Sequence, residues 1–115
     1  MTHYMKLAPV PFEKIKNGRK TIELRLYDEK RRKVRVGDEI VFTSTADPAL
    51  TLETRVTALH IFKDFAALYR ELPLEKCGYD EADIANASPA DMEGYYSPER
   101  QREYGVAGIE LMVCK

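Results

Sequence analysis

Apolar and polar residues alternate most strictly from Thr21 to Tyr27. Ile22, Leu24 and Leu26 share one parity and Thr21, Glu23, Arg25 and Tyr27 the other. A period of two predicts a strand with an apolar face and a polar, charged face. Lys20 breaks the alternation; its ammonium joins Glu23 and Arg25 only if it sits at the strand's mouth, where the chain still turns out of Gly18. Upstream, Met1 to Val10 reads as a strand or extended lead-in with Met5 and Leu7 on one side, ended by Pro9. Pro11 suits the first position of a short helix, Phe12 and Ile15 share its face, and Gly18 stands where a left-handed terminating residue belongs.

Downstream, Asp28 to Lys33 has no hydrophobic period and predicts an exposed loop. Gly37-Asp38 is a turn dipeptide, Glu39 to Thr43 a second strand, and Leu50 to Phe62 the longest strand, with Leu50, Leu52, Val56 and Ala58 at one parity. At Lys63 the period changes. Phe65, Leu68, Tyr69 and Leu72 follow helical spacing, predicting a helix over Asp64 to Leu72 stopped before Pro73. Leu74 to Glu93 is acidic and predicts one or two short helices, with Ser88-Pro89 and Asp91 as a capping-box start. Ser97-Pro98 begins a last helix through Tyr104, ended by Gly105, and Val106 to Val113 is a final strand with Ala107, Ile109, Leu111 and Val113 on one face. Strands come first and helices are inserted before the last strand. No βαβ alternation occurs, so the prediction is an α+β domain, residues 1–115, in which four to six mainly antiparallel strands curl into a small β-barrel with short helices at one end.

Composition changes this picture little. The chain has 115 residues, 44% of them hydrophobic and 32% charged, enough for one domain with its own core. Neither a signal peptide nor a membrane-spanning run is read from it, so a cytoplasmic protein with no membrane partner is expected. Cys77 and Cys114 lie in no metal-ligand spacing and are read as reduced thiols; His3 and His60 are isolated, His60 as a packed or hydrogen-bonded residue. No metal and no cofactor are expected.

Charge changes it more. The net charge is −1, yet Glu13 to Arg35 holds ten basic residues against four acidic ones, and the rest of the chain eight against fifteen. The basic half contains the charged strand, and a local field of this kind holds an anionic ligand even on a near-neutral protein.

The run Gly18-x-Lys20-x-x-Glu23-x-Arg25, followed by Val36-Gly37-Asp38 and closed by Tyr96-Ser97-Pro98-Glu99 and Tyr104-Gly105-Val106-x-Gly108-Ile109, resembles the ASCH domain (activating signal cointegrator homology), over nearly the whole chain. The resemblance implies a PUA-like barrel with a cleft beside the motif strand, and RNA binding. It assigns Lys20, Glu23 and Arg25 to that cleft. Lys20 and Arg25 are suited to phosphate or a carbonyl, Glu23 to a base amino group or to holding Arg25. Thr21 accompanies them on the strand, and Tyr27, Tyr95 and Tyr96 are candidates for stacking on an unpaired base, or else for packing.

Two other function classes stay open. Some small bacterial ASCH proteins are amidohydrolases acting on N4-acetylcytidine, through a lysine and a threonine in a Lys-Thr-Ile-Thr-Ile-Arg run together with a separate glutamate. Here Glu23 occupies the nucleophile position, so an enzyme would need Glu23 as general base beside Lys20 as oxyanion stabiliser. A ribonuclease would likewise need Glu23 or a glutamate of the helical region, Glu93 or Glu99. The third class is a protein-interaction module using the acidic segment 74–93, favoured if the Lys20 cluster proves to be a closed ion-pair network. The ligand is thus expected to be RNA or a nucleoside-like molecule, and the sequence leaves the oligomeric state open.

Overall fold

The structure, a computed structural model, describes residues 1–114. Five strands form one sheet: β1 (Thr2–Leu7), β2 (Ile22–Leu26), β3 (Glu39–Ser44), β4 (Thr51–Phe62) and β5 (Val106–Val113). The order β1-β3-β4-β5-β2 leaves β1 and β2 at the two edges. Pairing is antiparallel except between β1 and β3, which run parallel, Met5 beside Phe42. The helix after β1 makes this possible, because a parallel neighbour needs a crossover and a hairpin cannot supply one.

That helix, α1 (Pro9–Lys16), begins two residues earlier than the pattern predicts. Pro9 ends the strand and also occupies the first helical position, while Pro11 sits within the first turn, where its missing N–H costs no intrahelical bond. Gly18 terminates the helix at φ 83°. The remaining helices, α2 (Phe65–Glu71), α3 (Glu81–Ile84) and α4 (Pro98–Tyr104), all lie between β4 and β5. Asp64 caps α2 by accepting from Ala67 N–H (2.9 Å), and Ser97 caps α4 by accepting from Arg100 N–H (3.3 Å). Ser88 and Asp91 form the capping box expected of them, though on a single 3-10 turn over Pro89–Met92. The predicted loop over residues 28–33 contains another such turn, Arg31–Lys33, anchored by the Asp28 carboxylate on the Arg31 amide (3.1 Å) and guanidinium (3.0 Å).

The sheet separates two apolar clusters. Met5, Phe12, Ile15, Phe42, Val56 and Ile109 belong to one, which takes in α1. Ile22, Leu24, Leu26, Phe65, Leu68 and Val106 belong to the other, which takes in α2. The apolar parity of β2 therefore faces α2, as its alternation requires. Its polar parity is covered as well: Glu23 is 4% exposed. The curl of the sheet covers this side by bending the two edges toward each other. Arg25 on β2 reaches the Lys6 carbonyl on β1 (2.7 Å), and Lys30 reaches the Tyr4 carbonyl (2.6 Å).

The two histidines are both hydrogen-bonded. His60 on β4 meets Glu110 on β5 (3.0 Å), and His3, which sequence left isolated, is buried against Asp38 (2.8 Å). The His3 contact and the Arg35 amide hold the Asp38 carboxyl at about 2, below the usual range. No helix among the described residues is long and apolar enough to cross a membrane.

Gly105 joins α4 to β5 at φ 75°, and a Cβ there would lie 3.0 Å from the Phe62 carbonyl oxygen. Gly105→Ala combines a left-handed backbone with a contact against main chain that cannot rotate away. We expect it to lower the unfolding free energy by about 1–3 kcal/mol, read from the urea midpoint.

Candidate functional site

The charged cluster is built by the turn between α1 and β2. The Lys20 amide donates to the Lys14 carbonyl (2.9 Å), which holds Lys20 just before the strand. From there its Nζ lies 2.9 Å from Glu23 Oε1. Arg25 takes the other oxygen: its Nε donates to Glu23 Oε2 at 2.9 Å and its Nη2 lies at 2.8 Å. The geometric condition on Lys20 is thus met. Burial acts to raise the Glu23 carboxyl, but the charges and hydrogen bonds of Lys20 and Arg25 outweigh it and hold the group below its ordinary value.

A cleft of about 500 Å³ opens over this cluster. Lys20, Glu23 and Arg25 lie along it, with Lys6 and Ala8 on the β1 side and Lys14 of α1 nearby. The opposite wall comes from Tyr69 of α2 and from the segment between α2 and α4, including Cys77, Gly78, Tyr79, Asp91 and Met92. Tyr95 and Tyr96 complete the lining. Tyr95 is 78% exposed, whereas Tyr96 stacks on Phe65 (centroids 5.9 Å apart, planes at 22°), so only Tyr95 is a wholly open ring.

Two of the sequence candidates fall elsewhere. Thr21 is not part of the cleft lining; its amide and that of Ile22 both donate to the Lys76 carbonyl (2.9 Å each), and its own carbonyl accepts from Leu111. Tyr27 packs against the α1-side core with the Arg32 guanidinium 4.4 Å over its ring. Both follow from geometry: Thr21 precedes the strand and serves its backbone, and Tyr27 lies just past the end of β2, two residues beyond Arg25. Glu93 and Glu99 are exposed and outside the cleft.

Conversely, sequence reasoning missed Lys14, Tyr69, Tyr79 and Asp91. The signal for them was faint. Gly78 has φ 107°, and a Cβ on it would come within 3.0 Å of Lys20 Cδ, so a glycine there lets the lysine stem pass beneath the wall. Lys14 fastens the same loop from the other side, donating to the Gly78 carbonyl (2.7 Å) and standing 3.6 Å from Asp80, which Arg19 also holds (2.6 Å). The segment read as a possible interaction surface thus contributes a wall of the cleft.

Chemically, the cluster is a poor proton acceptor. Both Glu23 oxygens are engaged by cations, which weakens it as a general base. Cys77 is equally unsuited to attack, because burial pushes its thiol up to about 11. No group of three or more His, Cys, Asp or Glu side chains that could hold a metal ion occurs among the described residues.

Glu23→Gln leaves two buried cations without their counter-charge, and we expect a loss of about 3–5 kcal/mol in denaturant unfolding at neutral pH. The linkage has a definite sign. A depressed carboxyl stabilises the fold above its unfolded value of 4.5 and loses that contribution as pH falls through its folded value. Thermal melts of the parent should therefore decline below pH 4.5 more steeply than those of Glu23→Gln.

The match to known proteins covers the same elements. The family model for the ASCH domain matches residues 5–113. The crystal structure of the hypothetical protein PH0355 is 30% identical, with a TM-score of 0.82 over 99% of this chain and 100% of that one. The solution structure of protein PF0455 from Pyrococcus furiosus is also 30% identical, with a TM-score of 0.70 over 100% of this chain and 99% of that one. An ASCH protein from Zymomonas mobilis, solved as its S128A mutant, shares the fold at 15% identity and a TM-score of 0.66, over 96% of this chain and 67% of that one. No curated protein gives a significant match. The chain belongs to the ASCH domain family.

Proposed function

We propose that this ASCH domain binds RNA and takes one unpaired nucleotide into the cleft between β2 and the helical segment. The observation that carries the reading is a buried ion-pair cluster that keeps donors in reserve. Lys20 spends one N–H on Glu23, and Arg25 spends Nε and Nη2 on Glu23 and Lys6, so the remaining Lys20 protons and Arg25 Nη1 have no partner among the described residues. Such donors suit phosphate or base oxygen atoms. A cleft of about 500 Å³ falls in the range of small-molecule sites and accommodates a nucleoside. Tyr95, exposed at its edge, offers a stacking face of the kind that single-stranded RNA uses. The family membership and the excess of basic residues from Glu13 to Arg35 point the same way.

The test is an amide-shift titration of isotope-labelled protein with a mixed single-stranded RNA oligonucleotide, with N4-acetylcytidine in a parallel tube. Shifts confined to residues 18–25, 77–79 and 91–96, weakening as salt rises, are the expected result. Lys20→Met keeps the stem and leaves Glu23 paired with Arg25, and should weaken RNA binding by about tenfold. Shifts clustered away from the cleft, or none with RNA, overturn the reading; cytidine appearing in the second tube would replace it with a hydrolase.

A further inference from the structure

The wall facing the ion-pair cluster carries a hydrogen-bonded chain whose direction is determined by its end. Tyr79 Oη donates to Asp91 Oδ2 at 2.7 Å, and Tyr69 Oη lies 2.6 Å from Tyr79 Oη. A carboxylate only accepts, and a hydrogen bond to a charged acceptor is the stronger of the choices open to Tyr79. Tyr79 therefore gives its single proton to Asp91, and the Tyr69–Tyr79 bond must be made by the proton of Tyr69. What Tyr69 has left is lone pairs. Asp91 is held in this state, since Tyr79 and the Ser88 amide (3.1 Å) stabilise its charge. Burial keeps both phenols protonated well above neutral pH.

The result is a cleft with segregated hydrogen-bonding character. The β2 side offers unspent donors on Lys20 and Arg25, with both Glu23 oxygens already engaged by those cations. The opposite side offers acceptors, Tyr69 Oη and Asp91 Oδ1, with its donors already taken. Cys77 lines the same cleft as Lys20, Arg25, Tyr69 and Asp91. Both sides line one cleft of about 500 Å³, a volume suited to a single nucleoside.

We infer that the cleft selects a base whose edge sets an exocyclic amino group beside a ring-nitrogen acceptor, cytosine or adenine, over uracil, with Tyr69 accepting from the amino group. Uracil has a carbonyl at the position of the cytosine amino group and meets Tyr69 lone pair to lone pair. Its ring N–H likewise faces the donors of the β2 side. The inference rests on the cleft being the nucleotide site.

Short oligocytidylate and oligouridylate, titrated separately into the labelled protein at one salt concentration, test it. Oligocytidylate should bind about tenfold more tightly, the discrimination that one well-matched base contact supports. Tyr79→Phe frees the Tyr69 proton, which can then donate to a uracil carbonyl, and the preference should fall to within about twofold. Tyr69→Phe deletes the acceptor and should also abolish the preference, providing a second variant if the first fails to melt as a folded protein. Equal affinities for the two oligomers, with shifts still on Lys20 and Arg25, overturn the selectivity and leave the RNA-binding reading standing. Absence of shifts on those residues with either oligomer overturns both.

Discussion

A carboxylate removed from water is the costliest group in this domain, and its neighbours are arranged around that cost. Glu23 sits on a strand covered on both faces, where an unpaired charge would be worth several kcal/mol against folding. Lys20 and Arg25 offset the cost only because each comes from its own direction, one from the turn before the strand and one from two residues further along it. The turn must therefore be tight, which requires a left-handed residue at Gly18, and the wall must leave room for the lysine stem, which requires no side chain at Gly78. Two glycines sixty residues apart answer to one carboxylate.

The same cluster also completes the barrel. Side chains from β2 and from the loop after it reach backbone carbonyls of β1, Arg25 to Lys6 and Lys30 to Tyr4, where a closed barrel would have a backbone ladder. A backbone ladder would have filled the gap with its own hydrogen bonds. Side-chain bridges leave polar groups and space along the seam, and the cleft lies along it. Arg25 thus serves both the seam and the cluster, dividing its donors between the Lys6 carbonyl and Glu23 at the edge of the cleft.

Much of this was legible in the sequence because it is local. The alternation of residues 22–26, the helix stop at Gly18, the turn at Gly37-Asp38 and the caps at Ser88 and Ser97 depend on groups within a few residues of one another. What was not legible depends on contacts across the chain. The burial of Glu23 on the polar parity of β2 was one such feature, because nothing in the strand's own spacing reports that a segment some fifty residues later covers it. Tyr27 and Tyr69 are indistinguishable by residue type; one packs in the core beneath Arg32 and the other lines the cleft, a difference made by topology alone. The parallel pairing of β1 with β3 was similarly invisible, since a strand's apolar period is the same whichever way its neighbour runs.

The helical segment that supplies the wall leaves β4 at Phe62 and returns to β5 at Val106, and these two residues are register partners. Its ends are therefore held side by side by the sheet itself, whatever lies between them. Lengthening the stretch between α2 and α4 would not oblige β4 or β5 to part, because the closure is already made, whereas α2 is tied to β2 through Phe65 and Leu68. The charged floor belongs to β2 and the turn before it, the tyrosine wall to the inserted segment. A cleft divided in this way draws its two sides from parts of the chain under different constraints, one set by strand pairing and the other by how an insertion packs.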